Sequence, residues 1–452
     1  MSKGGITRRE FMRNAALGAT GMALLPGNAF AGVSNVNRRS PNLLFIHTDQ
    51  QHFQAMSALG CKYVHTPNMD RLVRRGVTFS LSYSANPVCC PARACWYTGR
   101  PSSENGMLSN NHTLAQNLPD LGQWFGSRGY ETFYSGKWHV PGRDAARSFY
   151  ALTANPSGQG EHCDPVVSKS AQAFLRSYAG DKPFFLSLGF LQPHDSCYWV
   201  FAHEKDIGSL PYPSVNDDLP PLPDNFEYQV AEPEALRQHL TRVRTWAASW
   251  SELHWRYYLW SYYRHVEMVD AEIGRVLDAL EDSKFASNTL IVFTADHGDG
   301  LARRKLVQKW FLYDEAVRVP LVICPPGDNN RRLDATHVVS GLDIAPTLCD
   351  FAGVEAPPRC RGRSLRKLVE GRDSEQREFV VSESNITGRM VRTPEYKLVT
   401  YKDDPVNQLF DMKRDPWEMR NLASEARYAD TVANIKELLQ DWESRLVPIR
   451  HG

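Results

Sequence analysis

The chain has 452 residues, 42% hydrophobic and 23% charged, with 52 Lys+Arg against 51 Asp+Glu. That length holds one large domain plus a smaller one around a sizeable core, and the even charge balance excludes a chain-wide basic field, so nucleic acid is not the expected partner. Nine cysteines are too sparse for a disulfide scaffold, and their odd number asks what chemical use one of them has.

Residues 1–31 read as a targeting segment. Thr7-Arg8-Arg9-Glu10-Phe11-Met12-Arg13 precedes a weakly apolar run from Ala15 to Leu25, and Ala29-Phe30-Ala31 supplies the small residues a signal peptidase accepts. The run is shorter than the roughly 20 residues that span a bilayer. Twin arginines before such a run are the mark of the Tat route. No cysteine follows to carry a lipid. The expectation is a substrate of the Tat translocon, periplasmic or secreted, with no stable membrane anchor.

From Asn42 the pattern alternates strands and helices. Asn42 to Thr48 is a short apolar run ending in polar residues, the look of a buried parallel strand. Leu121 to Arg128 reads as a helix closed by Gly129, and Glu131 to Ser135 as the next strand. Phe184 to Leu191 and Thr289 to Ala295 are further buried strands, with the long helix Tyr257 to Ser283 between them, and Pro320 to Cys324 adds one more. The expectation is an α/β fold, a large domain at 40–365 with a central, mainly parallel sheet flanked by helices. A Pro-, Gly- and Arg-rich stretch near 357–375 reads as a linker. Beyond it, strand-like runs at Glu378–Glu383 and Tyr396–Lys402 and a helix from Asp430 to Leu446 suggest a small C-terminal α+β domain over 375–452.

In open α/β sheets ligands bind outside the carboxyl ends of the strands. Three polar clusters fall there: His47-Thr48-Asp49-Gln50, Pro193-His194-Asp195 and Asp296-His297-Gly298-Asp299. A fourth stretch, Cys89-Cys90-Pro91-Ala92-Arg93, places proline where the first turn of a helix tolerates it. Cys89 is then expected just before a helix, facing free N–H groups that favour an anion.

That stretch resembles the signature of the type I, formylglycine-dependent sulfatases of the alkaline-phosphatase superfamily, Cys-x-Pro-Ser/Ala-Arg followed by Thr-Gly-Arg. Cys89, Pro91, Ala92, Arg93, Thr98, Gly99 and Arg100 meet it. The register from Cys90 does not, because it would put proline at +1 and arginine at +3. Thr66-Pro67-Asn68-Met69-Asp70-Arg71-Leu72, Gly136-Lys137-Trp138-His139, Asp296-His297-Gly298, Lys309, Arg318-Val319-Pro320 and Asp343-Ile344-Ala345-Pro346 follow in family order. So do Gly362-Arg363-Ser364-Leu365, Leu409-Phe410-Asp411 and Asp415-Pro416-x-Glu418.

The resemblance implies an alkaline-phosphatase-like fold and a sulfuric ester hydrolase acting on an exogenous sulfated carbohydrate. It implies that a formylglycine-generating enzyme oxidises Cys89, and that one hydroxyl of the hydrated aldehyde attacks sulfur while the other then releases inorganic sulfate. Asp49, Gln50, Asp296 and His297 are similar to the family's metal ligands, with the modified Cys89 as a fifth. The implied ion is Ca2+, although one His and one neutral Gln leave manganese or zinc open on ligand chemistry alone. By the same resemblance Arg93, Lys137 and His139 hold and tune the nucleophile, and His194 is the acid for the leaving group. Lys305 and Lys309 both suit a sulfate by charge, and Lys309 has the family spacing before Tyr313 and Arg318. Relatives often carry a His where Arg303-Arg304 stands here.

The aromatic-rich stretch from Trp246 to Tyr263 fits packing better than a sugar platform. Ser109–His112 and Ser196–His203 flank the motif blocks and are candidates to line a pocket. Asn385-Ile386-Thr387 matches a glycosylation acceptor and is set aside beside a bacterial signal. Two other functions fit the same motifs. One is a phosphonate monoester or phosphodiester hydrolase, whose relatives share the Asp-Gln pair and lack the sulfate-binding lysines. The other is a glycan-binding pseudoenzyme with unmodified Cys89.

Overall fold

The structure, a computed structural model, describes residues 40–448 apart from 154–157, 205–214, 216–217, 228–231, 328–330, 373–374 and 385–386. The expected targeting segment at 1–31 and the Asn385-Ile386 pair lie outside the described residues. No helix among the described residues is long and apolar enough to cross a membrane.

The strands are β1 (Asn42–Asp49), β2 (Val77–Phe79), β3 (Ser82–Tyr83), β4 (Glu131–Gly136), β5 (Tyr150–Ala151), β6 (Phe184–Pro193), β7 (Thr289–Ala295), β8 (Leu321–Cys324), β9 (Arg332–Asp334) and β10 (Val339–Ser340). A large sheet takes the order β5-β4-β6-β1-β7-β8-β2-β9. Pairing is parallel from β5 to β7, antiparallel on both sides of β8, and parallel again between β2 and β9.

The central strand shows why the sheet forms. All eight residues of β1 are buried, and successive side chains point to opposite faces. Leu43 and Phe45 join one apolar core with Phe185, Leu290 and Val292. Leu44 and Ile46 join the other with Leu186, Leu188, Ile291 and Phe293. Both faces are covered, so β1, β6 and β7 read as unbroken apolar runs. The first core is closed by the helices Cys89–Thr98, Leu121–Gly126 and Ile344–Ala352. The second is closed by Pro67–Arg75, Gly160–Ser177 and the 30-residue helix Glu252–Glu281.

The observed elements shift some expected bounds. The helix at Leu121 ends at Gly126, and the long helix starts at Glu252, capped by Ser251 and His254, five residues before the aromatic periodicity of its buried face becomes readable. The helix Cys89–Thr98 begins at Cys89 itself, with Val88 as the extended N-cap residue. Cys89 is therefore the first residue of the helix and not the residue before it. Pro91 still sits within the first turn, where its missing N–H donor forfeits no intrahelical hydrogen bond.

A second sheet, β11 (Val380–Glu383), β12 (Gly388–Arg392), β13 (Tyr396–Tyr401) and β14 (Gln408–Asp411), is antiparallel throughout. The helix Ala429–Ser444 covers one face through Ile435 and Leu439. The Pro- and Arg-rich stretch before this sheet packs closely, with Leu365 N–H bonded to Thr347 at 2.9 Å and Arg361 paired with Glu104.

A buried ionic knot fastens the small sheet to the large one. Lys397 of β13, fully buried, lies 2.8 Å from Asp314 and 2.6 Å from Glu418. Glu418 in turn accepts the Asp314 N–H at 2.8 Å. Removing one member of such a cluster leaves uncompensated buried charge, which costs about 3–5 kcal/mol. Lys397→Met should therefore lower the urea midpoint sharply, and adding Asp314→Asn and Glu418→Gln to it should recover much of the loss.

Asp164, on the helix Gly160–Ser177, accepts the N–H groups of Leu191 at 2.7 Å and Gln192 at 2.9 Å, pinning the end of β6. Burial, against those two donors, pushes its carboxyl up to about 7. The native group keeps a proton that the unfolded chain releases near pH 4, so its contribution to stability is complete at low pH and is lost as pH rises toward about 7. Thermal unfolding measured from about pH 5 to about pH 7 should show the wild type losing ground to Asp164→Asn as pH increases.

Candidate active site

Parallel neighbours β1 and β7 end side by side, with Thr48 opposite Ala295. The next residues along the two strands, Asp49 and Asp296, thus bring two carboxylates together with no solvent exposure. Such a pair is tolerable only with a counter-charge. Arg93, one turn into the helix Cys89–Thr98, provides it, its Nη2 lying 3.0 Å from Oδ2 of both acids. Lys137 adds a second cation 2.8 Å from Asp49 Oδ2.

With the Oδ2 atoms occupied, the Oδ1 atoms face Cys89 and His297. Cys89 Sγ lies 3.8 Å from Asp49 Oδ1 and 3.2 Å from His297 Nε2. His297 Nδ1 is engaged by the Gly298 carbonyl at 2.9 Å, so Nε2 is the nitrogen that points into the cluster. One ligand atom from each of Asp49, Cys89, Asp296 and His297 lies within 4.8 Å of the others. Ligands at 2.1–2.5 Å around one ion stand at most about 5 Å apart. Two carboxylates, an imidazole and a helix-start side chain thus fit one divalent cation.

The electrostatics agree with a site built for anions. Burial opposes ionisation of Asp49, yet Lys137, His194 and Arg93 hold its carboxyl well below the usual range. Burial and the charge of Asp49 push Asp296 up to about 6. Burial and Asp49 would also raise the Cys89 thiol, and Lys309, Lys137 and His297 outweigh them to hold it well below the ordinary value. His194 is held well below the ordinary imidazole value by burial and by the nearby Lys137 and Lys309.

Several of the expected residues stand close to this centre. Lys309 Nζ meets Gln50 Oε1 at 2.7 Å, while Lys305 pairs at the surface with Glu227. Gln50 also binds the Asp296 carboxylate through its backbone N–H at 3.0 Å. His139 and His194 each keep a buried Nδ1 with no hydrogen-bond partner among the described residues. Asn110, from the polar loop 109–112, accepts the Cys90 N–H at 3.0 Å. Arg303 and Arg304 do other work: Arg303 lies 3.6 Å over the Trp417 ring, and Arg304 pairs with Glu315 at 2.6 Å. All nine cysteines are unpaired, and most are buried.

The supporting roles of Asp299, Tyr258 and Tyr262 escaped sequence reading. Asp299 accepts the Gln50 side-chain amide at 2.6 Å and the Tyr258 hydroxyl, which turns the amide oxygen of Gln50 toward Lys309. Tyr262 donates to the Gln50 carbonyl at 2.7 Å. Asp299 lies three residues after Asp296, and Tyr258 and Tyr262 are four apart on one helix face. Those spacings were the available signal.

The comparisons agree with this geometry. The family model described as Sulfatase matches residues 41–354, and that of the N-sulphoglucosamine sulphohydrolase C-terminal region matches 303–445. The delta 4,5-hexuronate-2-O-sulfatase of Bacteroides thetaiotaomicron is 31% identical over 446 residues, covering 93% of this chain and 92% of its own. The chain belongs to the sulfatase family of the alkaline-phosphatase superfamily. Among solved structures, a 2-O GAG sulfatase matches this sulfatase with a TM-score of 0.81 at 31% identity, over 90% of this chain and 92% of that one. A protein solved with its substrate D-glucosamine-2-N,6-O-disulfate matches with a TM-score of 0.74 at 25% identity, over 90% and 98%.

If the four-residue cluster holds a cation, ligand and folding free energies are linked. Titrating Ca2+ or Mn2+ into chelator-treated sulfatase should raise the melting temperature, by the equivalent of about 2.7 kcal/mol at a hundredfold excess over Kd. Asp296→Ala should abolish that rise in differential scanning calorimetry.

Proposed function

We propose that this sulfatase hydrolyses sulfate monoesters on an exogenous sulfated carbohydrate, releasing inorganic sulfate, with a formylglycine made from Cys89 as nucleophile. The observation that carries the reading is the position of Cys89 at a helix start, 3.2 Å from His297 Nε2 and 3.8 Å from Asp49 Oδ1. Relatives named for 2-O sulfate esters and a relative bound to a sulfated glucosamine support the carbohydrate. The twin-arginine N-terminus supports export, which suits a polymer that does not enter the cell.

Asp49, Gln50, Asp296, His297 and the modified Cys89 side chain would hold one divalent cation, Ca2+ by resemblance, which supplies a Lewis acid for the ester and its nucleophile. A formylglycine at residue 89 would supply, as its hydrate, one hydroxyl as nucleophile and a second whose collapse to the aldehyde releases sulfate. The remaining work falls to side chains. Lys309 and Lys137 neutralise the sulfate oxygens, and as fixed cations in a buried site they stabilise charge that builds in the transition state. Arg93 keeps both acids ionised and aimed. His139 keeps a free nitrogen for the nucleophile.

His194 donates the proton to the departing alcohol oxygen. In the free enzyme burial and the two lysines oppose its protonation. An arriving sulfate ester cancels their charge, so His194 takes up its proton as substrate binds. The alkaline limb of kcat, which reports the bound enzyme, should accordingly lie at higher pH than that of kcat/KM.

Co-expression with a formylglycine-generating enzyme, then peptide mass spectrometry and turnover on defined sulfated saccharides, tests the whole reading. The expected result is an aldehyde at residue 89, sulfate release, and loss of about 10³-fold or more in kcat for Cys89→Ala. Faster turnover of aryl phosphonate than of aryl sulfate esters would move the assignment to phosphonate hydrolysis. An unmodified, inactive but glycan-binding protein would make it a pseudoenzyme.

A further inference from the structure

An arc of aromatic rings leaves the charged centre at one point and returns to it at another. At one end the Tyr198 ring lies 6.2 Å from that of His194. Tyr198 and Phe201 are three residues apart on the short helix Ser196–Ala202 and thus share a face. They are 42% and 47% exposed. Phe201 meets Trp246 edge-on at 5.4 Å, and Trp246 meets Trp310 at 5.9 Å. Trp310 closes the arc, its ring 5.7 Å from Lys309 Nζ.

Two further observations mark this arc as more than packing. Trp310 has a backbone φ of 84°, a left-handed conformation that a bulky residue adopts only when its surroundings impose it. That conformation sits directly beside Lys309. His239, 6.1 Å from the Trp310 ring, keeps a buried Nε2 with no hydrogen-bond partner among the described residues, so a polar group without a protein partner stands at this end of the arc.

We infer that Tyr198, Phe201, Trp246 and Trp310 form the subsite that holds the sugar ring bearing the scissile sulfate, with His239 bonding one of its hydroxyls. The inference rests on the sulfated-carbohydrate reading above and specifies where the carbohydrate sits. A pyranose offers apolar C–H faces to aromatic rings and hydroxyls at its rim, which matches rings interrupted by a single imidazole. An aromatic arc also suits a quaternary ammonium alcohol. Here, however, a ligand cation would lie close to Lys309 and Lys137, so the neutral sugar is the better fit.

The test compares Phe201→Ala and Trp310→Gly with wild type, glycine being chosen because it accepts the left-handed backbone without strain. Three quantities are measured: kcat/KM on a sulfated disaccharide, the inhibition constant of inorganic sulfate, and the melting temperature. The expected result is a fall in kcat/KM of about tenfold or more, chiefly in KM, with sulfate inhibition unchanged in both variants, melting temperature unchanged in Phe201→Ala, and partial recovery in Trp310→Phe. Undiminished kcat/KM would overturn the inference. So would a parallel loss of sulfate inhibition, since the rings would then merely support Lys309. Wild-type preference for choline sulfate, lost in the variants, would overturn it in favour of an ammonium cage. Absence of any wild-type turnover on sulfated saccharides, with turnover of other esters, would instead remove the reading beneath it.

Discussion

Two buried carboxylates side by side are the constraint from which the site follows. Adjacent parallel strands deliver Asp49 and Asp296 to one edge, and neither has water to spread its charge. Arg93 resolves the conflict by bridging one oxygen of each acid. That bridge fixes which oxygens remain for other partners, and so where an ion or a reacting group can sit. It also fixes the depth of the helix Cys89–Thr98, since a guanidinium one turn along it must reach both strand tips. Every residue of that helix is buried, which removes the slack that would let Cys89 wander from its neighbours.

The elements legible from the sequence were those whose environment is uniform. The strands β1, β6 and β7 are covered on both faces, so their composition alone announces them. The short strands β2, β5 and β9 have two or three residues each, too few for any periodicity. The antiparallel setting of β8 depends on strand order, which no local pattern encodes. The C-terminal sheet was half visible: β11 and β13 stood out, whereas Gly388–Arg392 and Gln408–Asp411 are too polar or too short to read as strands.

The site divides along similar lines. Cys89, Arg93, Lys309 and the Asp49 and Asp296 clusters carried motif spacing, and the fold draws them together. Asp299, Tyr258 and Tyr262 support Gln50 from positions more than 200 residues away in sequence, and a tyrosine packed in a helix looks the same whether or not its hydroxyl has such a partner. Arg303 and Arg304 were equally hard to place from the sequence. They stand where relatives often carry a His, and Trp417, Glu315 and Glu418 receive them, so they serve attachment of the small sheet. Glu418, seen first as part of a terminal motif, thereby gains a structural reason through Lys397 and Asp314.

One segment ties these threads together. Between Leu301 and Trp310, six non-glycine residues hold positive φ: Leu301, Ala302, Arg304, Lys305, Gln308 and Trp310. Each is a conformation that an isolated chain would abandon, and the arginine contacts to the small sheet hold the segment in place. The lysine at its end is thus cocked like a spring, with the distant antiparallel sheet as its latch. Relaxing that backbone would thus trade the fixed place of Lys309 for thermal robustness.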